Sequence, residues 1–229
     1  MPALDKNSSL KVNTRTGLGV VFLTIFIDLV GFSIIFPLFP DMLDHYLARE
    51  AGSGGILTQL IANLPERSEN GLNLQTVLFG GILGSLYSML QFIFAPIWGS
   101  LSDKVGRRKV LQYTVFATVV GYAVWIFSGN ILMLILSRII AGVASGNIAV
   151  ATAAVADITT RENRAKGMAL VGVAFGLGFV VGPAIGGISA NWSRGWEGYG
   201  LNPFSFPAII SCALAIINLY QIKKRFKET

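Results

Sequence analysis

The sequence contains few of the residue types on which enzymes and metal proteins depend. It has one cysteine and one histidine in 229 residues, and only 13% of its residues are charged. The lone Cys212 excludes a disulfide within the chain. The histidine, His45, lies outside the long apolar runs, and the sequence has neither a His-Glu-x-x-His motif nor a phosphate-binding glycine loop. We therefore predict that the protein is not an enzyme and has no metal and no cofactor.

Apolar residues and glycine are abundant instead. Hydrophobic residues make up 53% of the chain and there are 26 glycines, which is typical of a protein that crosses a membrane several times. Six apolar runs are long enough to cross the hydrocarbon core as helices, and they lie at 17–40, 75–101, 110–129, 131–155, 167–190 and 203–222. We predict an all-α membrane protein with a six-helix transmembrane bundle at 17–222, an outer loop at 41–74 and tails at 1–16 and 223–229.

The basic residues indicate how this bundle lies in the membrane. With the N-terminus in the cytoplasm, fourteen Lys and Arg residues fall in cytoplasmic segments and only Arg49, Arg67 and Arg194 in outer ones. Because Lys and Arg stay on the cytoplasmic side, both ends of the chain are predicted to be cytoplasmic. The protein is then a multi-pass protein of a plasma or inner membrane, in contact with lipid. The net charge of +6 follows from this topology, and since the basic residues form no stripe we predict no nucleic-acid partner.

A short charged segment at 99–109 connects the second and third apolar runs. Its residues with a physical role are Gly99, Asp103, Gly106, Arg107, Arg108 and Lys109. A glycine permits close helix packing or a tight turn, and an aspartate can cap or attract a helix N-terminus. The three basic residues then hold the helix end in place. The alternative is that they are only topology anchors, which need no ordered glycine or aspartate.

Two ionisable residues, Asp28 and Arg138, lie inside the predicted spans. At roughly 1.5 Å per residue, they lie about 16 Å and about 25 Å from the cytoplasmic ends of their helices. Charge at that depth is costly, so we expect either a functional role or a static ion pair between the two. Gln91 and Asn147 fall near the depth of Asp28 and line the same polar cavity or hydrogen-bond within the core. A single aspartate cannot form the pair of an aspartyl protease.

The fifth apolar run contains the sequence GFVVGPAIGG. Its residues of interest are Gly178, Gly182, Pro183, Gly186 and Gly187. The proline removes a backbone donor and bends the helix, and the glycines let it approach a neighbour and hinge. Since a simple kink needs only the proline, the full pattern favours a moving gate.

These motifs resemble those of one family of transporters. The 99–109 segment resembles the signature of the loop between the second and third spans in the major facilitator superfamily, with Lys104 where arginine is more usual. The fifth run resembles a motif of the antiporter branch of that superfamily. The surroundings of Asp28 and Arg138 resemble the first and fourth spans of tetracycline-type drug/proton antiporters, with Ala141 where that motif often has glutamine. Much of the chain is similar to the tetracycline-transporter-like proteins of animals.

The resemblance implies that the chain is the amino-terminal half of a twelve-helix fold. The expected function is proton-coupled antiport of small organic molecules or drugs by alternating access, with organic-anion export as the activity of the animal proteins. Asp28 would exchange the proton, and Arg138 would bind an anionic group or tune Asp28. The 99–109 segment would pack on a second six-helix half, which is a separate subunit, another copy of this chain or a further part of a longer chain. The alternative is a non-transporting six-span protein that binds other membrane proteins through its glycine faces.

Overall fold

The fold is described from a computed structural model of the chain. The structure describes residues 6–50, 73–190 and 201–226 together with positions 59, 61, 63, 65, 192 and 228, and for residues 6–16 it describes the backbone alone. Six helical segments are long and apolar enough to cross a membrane, and we call them the first to sixth spans. They are Gly17–Arg49, Leu74–Val105, Arg107–Ile126, Ile131–Ile158, Arg164–Ser189 and Ser205–Arg225. The prediction of an all-helical membrane protein with six spans is confirmed.

The first span is built from more than one helix. An α-helix at Lys6–Ser33 is followed by a 3₁₀ turn at Phe36–Leu38 and a second α-helix at Phe39–Arg49. Helical structure therefore continues past residue 40, where the sequence analysis placed the end of the apolar run. Pro37 and Pro40 each stand in the first turn of a helix, where a proline fits because the missing amide would have no partner there. Of the outer loop predicted at 41–74, most of 51–72 lies outside the described residues.

The connection between the second and third spans is shorter than a loop. The second helix runs to Val105 and the third begins at Arg107, so Gly106 alone separates them. Gly106 has φ +104° and is the only residue with positive φ in the described part of the chain. A glycine is required there because a side chain is strained in that backbone conformation. The 99–109 segment is thus mostly helical and turns at one residue.

The first and fourth spans form the centre of the bundle. The first span packs against the fourth, fifth and sixth, and the fourth also packs against the second and third. In the most apolar window of each span, 67% of the first and 56% of the fourth is buried, against 17% of the second and 22% of the fifth. The spans that carry Asp28 and Arg138 are therefore enclosed, and the second and fifth spans present apolar surface outward.

Three glycines of the fifth span lie directly against the first span. A Cβ at Gly178 would come within 2.6 Å of the Leu29 Cβ, and one at Gly182 would meet the Ser33 hydroxyl and the Val30 carbonyl. Gly186 lies in the same way against the carbonyl of Ile34. The absence of side chains at these positions lets the two backbones approach closely.

The remaining residues of this pattern differ from those three. Within the described part of the chain, nothing lies within 4 Å of a Cβ at Gly187. The helix continues through Pro183 to Ser189.

Candidate functional site

Asp28 is buried in the interior of the bundle, where 5% of its surface is exposed. Its Oδ1 accepts a hydrogen bond of 2.8 Å from Asn147 Nδ2. The Tyr87 hydroxyl also faces the carboxylate. Neither Asp28 Oδ2 nor Asn147 Oδ1 has a partner within hydrogen-bond geometry among the described residues. The carboxylate thus has two neutral neighbours, an amide and a phenol, and accepts a hydrogen bond from the amide.

Asn147 reaches Asp28 because the fourth span is interrupted. Its first helix ends at Ala144 and its second begins at Asn147, with Ser145 and Gly146 between them. Asn147 is 1% exposed, so its amide is fixed in the core beside the first span. Asn147 was predicted to lie at about the same depth in the membrane as Asp28, and in the structure the two side chains are in direct contact.

Arg138 lies in an aromatic environment and not beside Asp28. Its guanidinium stands 4.7 Å from the ring centroid of Trp125 and 5.9 Å from that of Tyr122, and its Nη2 lies 3.1 Å from the Ser137 hydroxyl. Stacking of this kind stabilises a cation. The ion pairs found among the described residues do not include Asp28 with Arg138. The static ion pair considered as an alternative is not present.

Two tyrosines connect these two charged groups. The ring of Tyr122 lies beside the Arg138 guanidinium, and the Tyr87 hydroxyl faces the Asp28 carboxylate. The Tyr122 hydroxyl lies against the backbone at Gly31, one turn beyond Asp28, where a Cβ would collide with it. Tyrosine side chains thus lie beside both the acid and the guanidinium, which do not contact each other directly.

A cavity of about 400 Å³ lies next to this cluster. Its wall includes aromatic rings and neutral polar groups, contributed by Phe32, Tyr87, Ser88, Gln91, Ser145, Phe175 and Phe179. The ring of Phe32 stacks on Tyr87 with centroids 4.3 Å apart and meets Phe179 edge to face at 6.2 Å. Gln91 therefore lines the cavity. Asp28 and Asn147 do not line the cavity themselves, but the residues that follow them in sequence, Leu29 and Ile148, do.

Three spans meet at Arg107 with the ends that are predicted to face the cytoplasm. Its Nη2 lies 2.7 Å from Asp103 Oδ1 on the second span, and its Nε lies 3.0 Å from Asp157 Oδ2 on the fourth. It also donates to the Ser102 hydroxyl. Arg107 belongs to the third span, so a single side chain ties the second, third and fourth spans together. We call Asp103, Arg107 and Asp157 the cytoplasmic charge cluster.

The other residues of the 99–109 segment lie apart from this cluster. Arg108 donates through Nη2 to the Lys223 carbonyl at 2.5 Å, and its backbone amide donates to Glu228 Oε1 at 3.3 Å. Lys109 is exposed. Within the described part of the chain, nothing lies within 4 Å of a Cβ at Gly99. The close helix contact predicted for Gly99 is not made with any of the described residues.

Sequence analysis did not identify Tyr87, Tyr122 or Trp125 as parts of the site. Aromatic residues within an apolar run have the same pattern whether they fill a core or face a charge, so the sequence carries no signal that separates the two. The sequence also did not reveal Asp157 as the partner of Arg107, since the two residues lie 50 positions apart.

Comparison with known proteins identifies the family. A sequence model of the Major Facilitator Superfamily matches residues 21–228. The human Major facilitator superfamily domain-containing protein 10 is 39% identical over 174 residues, which are 73% of this chain and 37% of that protein. The class H tetracycline resistance protein of Pasteurella multocida is 32% identical over 209 residues, which are 91% of this chain and 45% of that protein.

A solved structure has the same fold. The crystal structure of the human organic anion transporter MFSD10 (TETRAN) superimposes with a TM-score of 0.75 at 32% sequence identity, covering 94% of this chain and 48% of that one. The chain thus spans about half the length, or less, of the relatives that it matches. The predicted resemblance is confirmed by both the sequences and the structure: the chain belongs to the Major Facilitator Superfamily of membrane transporters.

Proposed function

We propose that the chain forms the amino-terminal half of a proton-coupled antiporter that exports small organic molecules by alternating access. The observation that carries this proposal is the buried carboxyl group of Asp28, held by a neutral amide beside a cavity inside a membrane-spanning bundle. Burying a carboxyl group at that depth costs free energy, and ionisable residues inside transmembrane helices commonly mark proton relays or substrate sites. Loading and release of a proton is the function that its neutral surroundings favour.

The amide of Asn147 suits a carboxyl group that changes its protonation state. An asparagine side chain carries both donors and an acceptor. Its Nδ2 donates to ionised Asp28, and its Oδ1, which has no partner among the described residues, can accept from the protonated acid after a rotation of the amide. A direct contact with arginine would instead hold Asp28 permanently ionised. The observed pairing therefore supports proton exchange at Asp28.

Arg138 is proposed to act on Asp28 through the tyrosines. Arg138 is 2% exposed, and its guanidinium lies beside the ring of Tyr122, whose hydroxyl lies against Gly31 one turn from Asp28. A shift of Tyr122 or Tyr87 on substrate binding would change how strongly the fixed cation favours the ionised acid. Proton release is then coupled to the occupancy of the neighbouring cavity, since Tyr87 also lines the cavity.

The cavity supports a substrate that is small, organic and ring-containing. Phe32, Phe175 and Phe179 offer ring faces and edges for stacking, and Gln91 offers a donor and an acceptor. The relatives are named for tetracycline resistance and for organic anion transport. An anionic substrate group would face Arg138 only after the tyrosines move.

We propose that a second six-helix half covers the second and fifth spans. These spans are the least buried, and the solved relative is about twice as long as this chain. The second half is a separate subunit, another copy of this chain or a further part of a longer chain. Rocking of the two halves about a central site would expose the cavity alternately to each side. Gly99, which contacts no other helix among the described residues, would make its close contact with the second half.

The proposal is tested by neutralising Asp28 in the native assembly. In inverted membrane vesicles with an acidic interior, tetracycline added outside as the probe should enter in exchange for protons, so vesicles that carry the wild-type protein should release protons from their interior. Asp28→Asn should abolish this release while leaving the amount of protein in the membrane unchanged. Asp44→Asn, which neutralises an exposed aspartate of the same span, is the matched control and should behave as the wild type.

The same experiment separates the transporter from a non-transporting interaction protein. Such a protein would bind its partners through the exposed glycines and would be insensitive to the loss of Asp28, Arg138 and Asp103. Proton release that persists in Asp28→Asn would contradict the assignment of Asp28. Absence of release from the wild type and from both variants, with all three inserted, would favour the interaction protein.

A further inference from the structure

A tryptophan of the second span occupies the interruption in the fourth. In a continuous helix the Val143 carbonyl would accept a hydrogen bond from the amide of Asn147. Here it accepts a hydrogen bond of 2.7 Å from the indole Nε1 of Trp98. The Trp98 ring lies against Gly146, where a Cβ would collide with it. The indole therefore satisfies the carbonyl that the interruption frees and fills the space that the glycine leaves.

This contact joins two parts of the proposed mechanism. Trp98 immediately precedes Gly99, the first residue of the 99–109 segment, on the helix that ends at Val105. Asn147 is the first residue of the helix that follows the interruption, and it donates to Asp28. Movement of the second span would pass through the indole to the interruption and then to the hydrogen bond on Asp28.

The second span contacts the interrupted region at more than this point. A Cβ at Gly142 would lie 3.0 Å from the Leu90 Cβ and 3.1 Å from the Tyr87 carbonyl. Close packing at Gly142 fixes the first helix of the fourth span, and Trp98 holds the start of the second helix. The two halves of the fourth span are thus positioned separately by one neighbouring helix.

We propose that Trp98 is a positioning residue that sets the Asn147–Asp28 hydrogen bond and couples it to the cytoplasmic end of the second span. The proposal rests on the proposed function, since it assigns the regulation of the same acid. Trp98 does not touch the carboxylate and acts through Asn147. Loss of its N–H should therefore change the titration of Asp28 without removing any group from the site.

The polar and titratable groups near Asp28 affect the pH at which its carboxyl group titrates. They are Tyr87 from the second span, Tyr122 from the third and Asn147 from the fourth, and Arg138 interacts with both tyrosines. Cys212 of the sixth span interacts with Tyr122. The fifth span from Gly167 to Ser189 has no titratable residue. None of these groups is altered by a substitution at Trp98.

The test is an infrared titration of the Asp28 carboxyl band in purified protein reconstituted into lipid, identified as the band absent from Asp28→Asn. Asn147→Ala should displace the midpoint by about one pH unit, because it removes a hydrogen bond to a charged group. Trp98→Phe, which keeps a ring and removes the donor, should displace the midpoint in the same direction by a smaller amount. Gly146→Ala, which displaces the ring but keeps the N–H, should act as Trp98→Phe does. The exposed Trp192 provides the control Trp192→Phe, which should leave the midpoint unchanged.

The double variant Trp98→Phe/Asn147→Ala distinguishes positioning from a general loosening of the bundle. If Trp98 acts through Asn147, the double variant should have the midpoint of Asn147→Ala alone. Two shifts that add, or a wild-type midpoint in folded Trp98→Phe or Gly146→Ala, would overturn the proposal and leave the function of Asp28 intact. A wild-type protein without a titrating Asp28 band would overturn the proposed function itself, and with it the role of Trp98.

Discussion

The charged residues in the interior of the bundle and those at the end predicted to face the cytoplasm have different surroundings. At the cytoplasmic face, Arg107 contacts the carboxylates of Asp103 and Asp157 at 2.7 and 3.0 Å. In the interior, Asp28 and Arg138 are both buried, and the described residues contain no ion pair between them. Charges are thus paired near the surface, where water would also solvate them. They are separated in the interior, where an ion pair would have relieved most of the free-energy cost of burying a charge.

This contrast indicates what each set of charges does. A bundle selected only for stability would pair its interior charges or replace them with apolar residues, since an unpaired buried charge is costly. An interior acid that is not paired with a cation can change its protonation state, which suits the proton exchange proposed for Asp28. The cytoplasmic charge cluster joins three helix ends across the surface, and exposed pairs are weak. Weak contacts between helix ends suit a connection that would form and break during the proposed alternating access.

The largest expected effect follows from moving the first span without touching a charge. Gly182→Val places a side chain against the Ser33 hydroxyl and the Val30 carbonyl, which lies 2.9 Å from the position of a Cβ. Overpacking of this kind should lower the free energy of unfolding by about 1–3 kcal/mol. Because the first span carries Asp28, proton release should be lost as well. Thermal unfolding in lipid and the vesicle assay measure the two effects.

Gly172→Val is the matched control for this substitution. Gly172 lies in the same helix, is exposed and has nothing within 4 Å of its Cβ position in the described part of the chain. It should change the free energy of unfolding by less than about 0.5 kcal/mol. Equal losses in the two variants would show that the fifth span does not depend on close contact with the first.

The second expected effect separates function from stability at Arg138. Arg138→Met replaces the buried cation with an apolar side chain of similar length. Because an unpaired buried charge costs stability, the free energy of unfolding should be unchanged or higher by about 1 kcal/mol. Coupled proton release should fall to background, and Arg138→Lys, which keeps a positive charge, should retain part of it. A marked loss of stability in Arg138→Met would instead assign Arg138 a structural role through its contacts with Trp125 and Tyr122.

The six spans were predictable from sequence because they depend on the length of the apolar runs. The interruption at Ser145 and Gly146 was not predicted. The run at 131–155 has no proline, and the small and polar residues at 145–147 are also common inside continuous transmembrane helices. Its cause is tertiary: an indole from the second span satisfies the freed carbonyl and requires a glycine. Depth alone selected Asn147 as a neighbour of Asp28. The same argument did not reveal that Arg138 faces aromatic rings, because depth fixes height in the membrane and not the direction of a side chain.

Asp103→Asn should have the smallest effect on stability and is the sharpest test of the cytoplasmic charge cluster. The Asp103 side chain is 62% exposed, so loss of its pair with Arg107 should lower the free energy of unfolding by less than about 1 kcal/mol. Arg107 keeps its contact with Asp157, so the helix ends stay joined and insertion should be normal. The rate of transport should nevertheless fall, because the cluster would no longer form and break as the two halves rock.

Lys104→Gln is the control for Asp103→Asn, since it removes a neighbouring exposed charge that belongs to no ion pair among the described residues. Insertion is measured by protease accessibility of the cytoplasmic side in sealed vesicles, and transport by the initial rate of tetracycline-induced proton release.

A normal rate in Asp103→Asn would exclude a role for this pair in switching. Impaired insertion in Asp103→Asn would assign the segment to topology, and impaired insertion in Lys104→Gln would show that its basic residues anchor the helix ends. Normal insertion with a lowered rate in Asp103→Asn alone would separate switching from anchoring, because both variants remove one exposed charge and only one of them breaks the contact with Arg107.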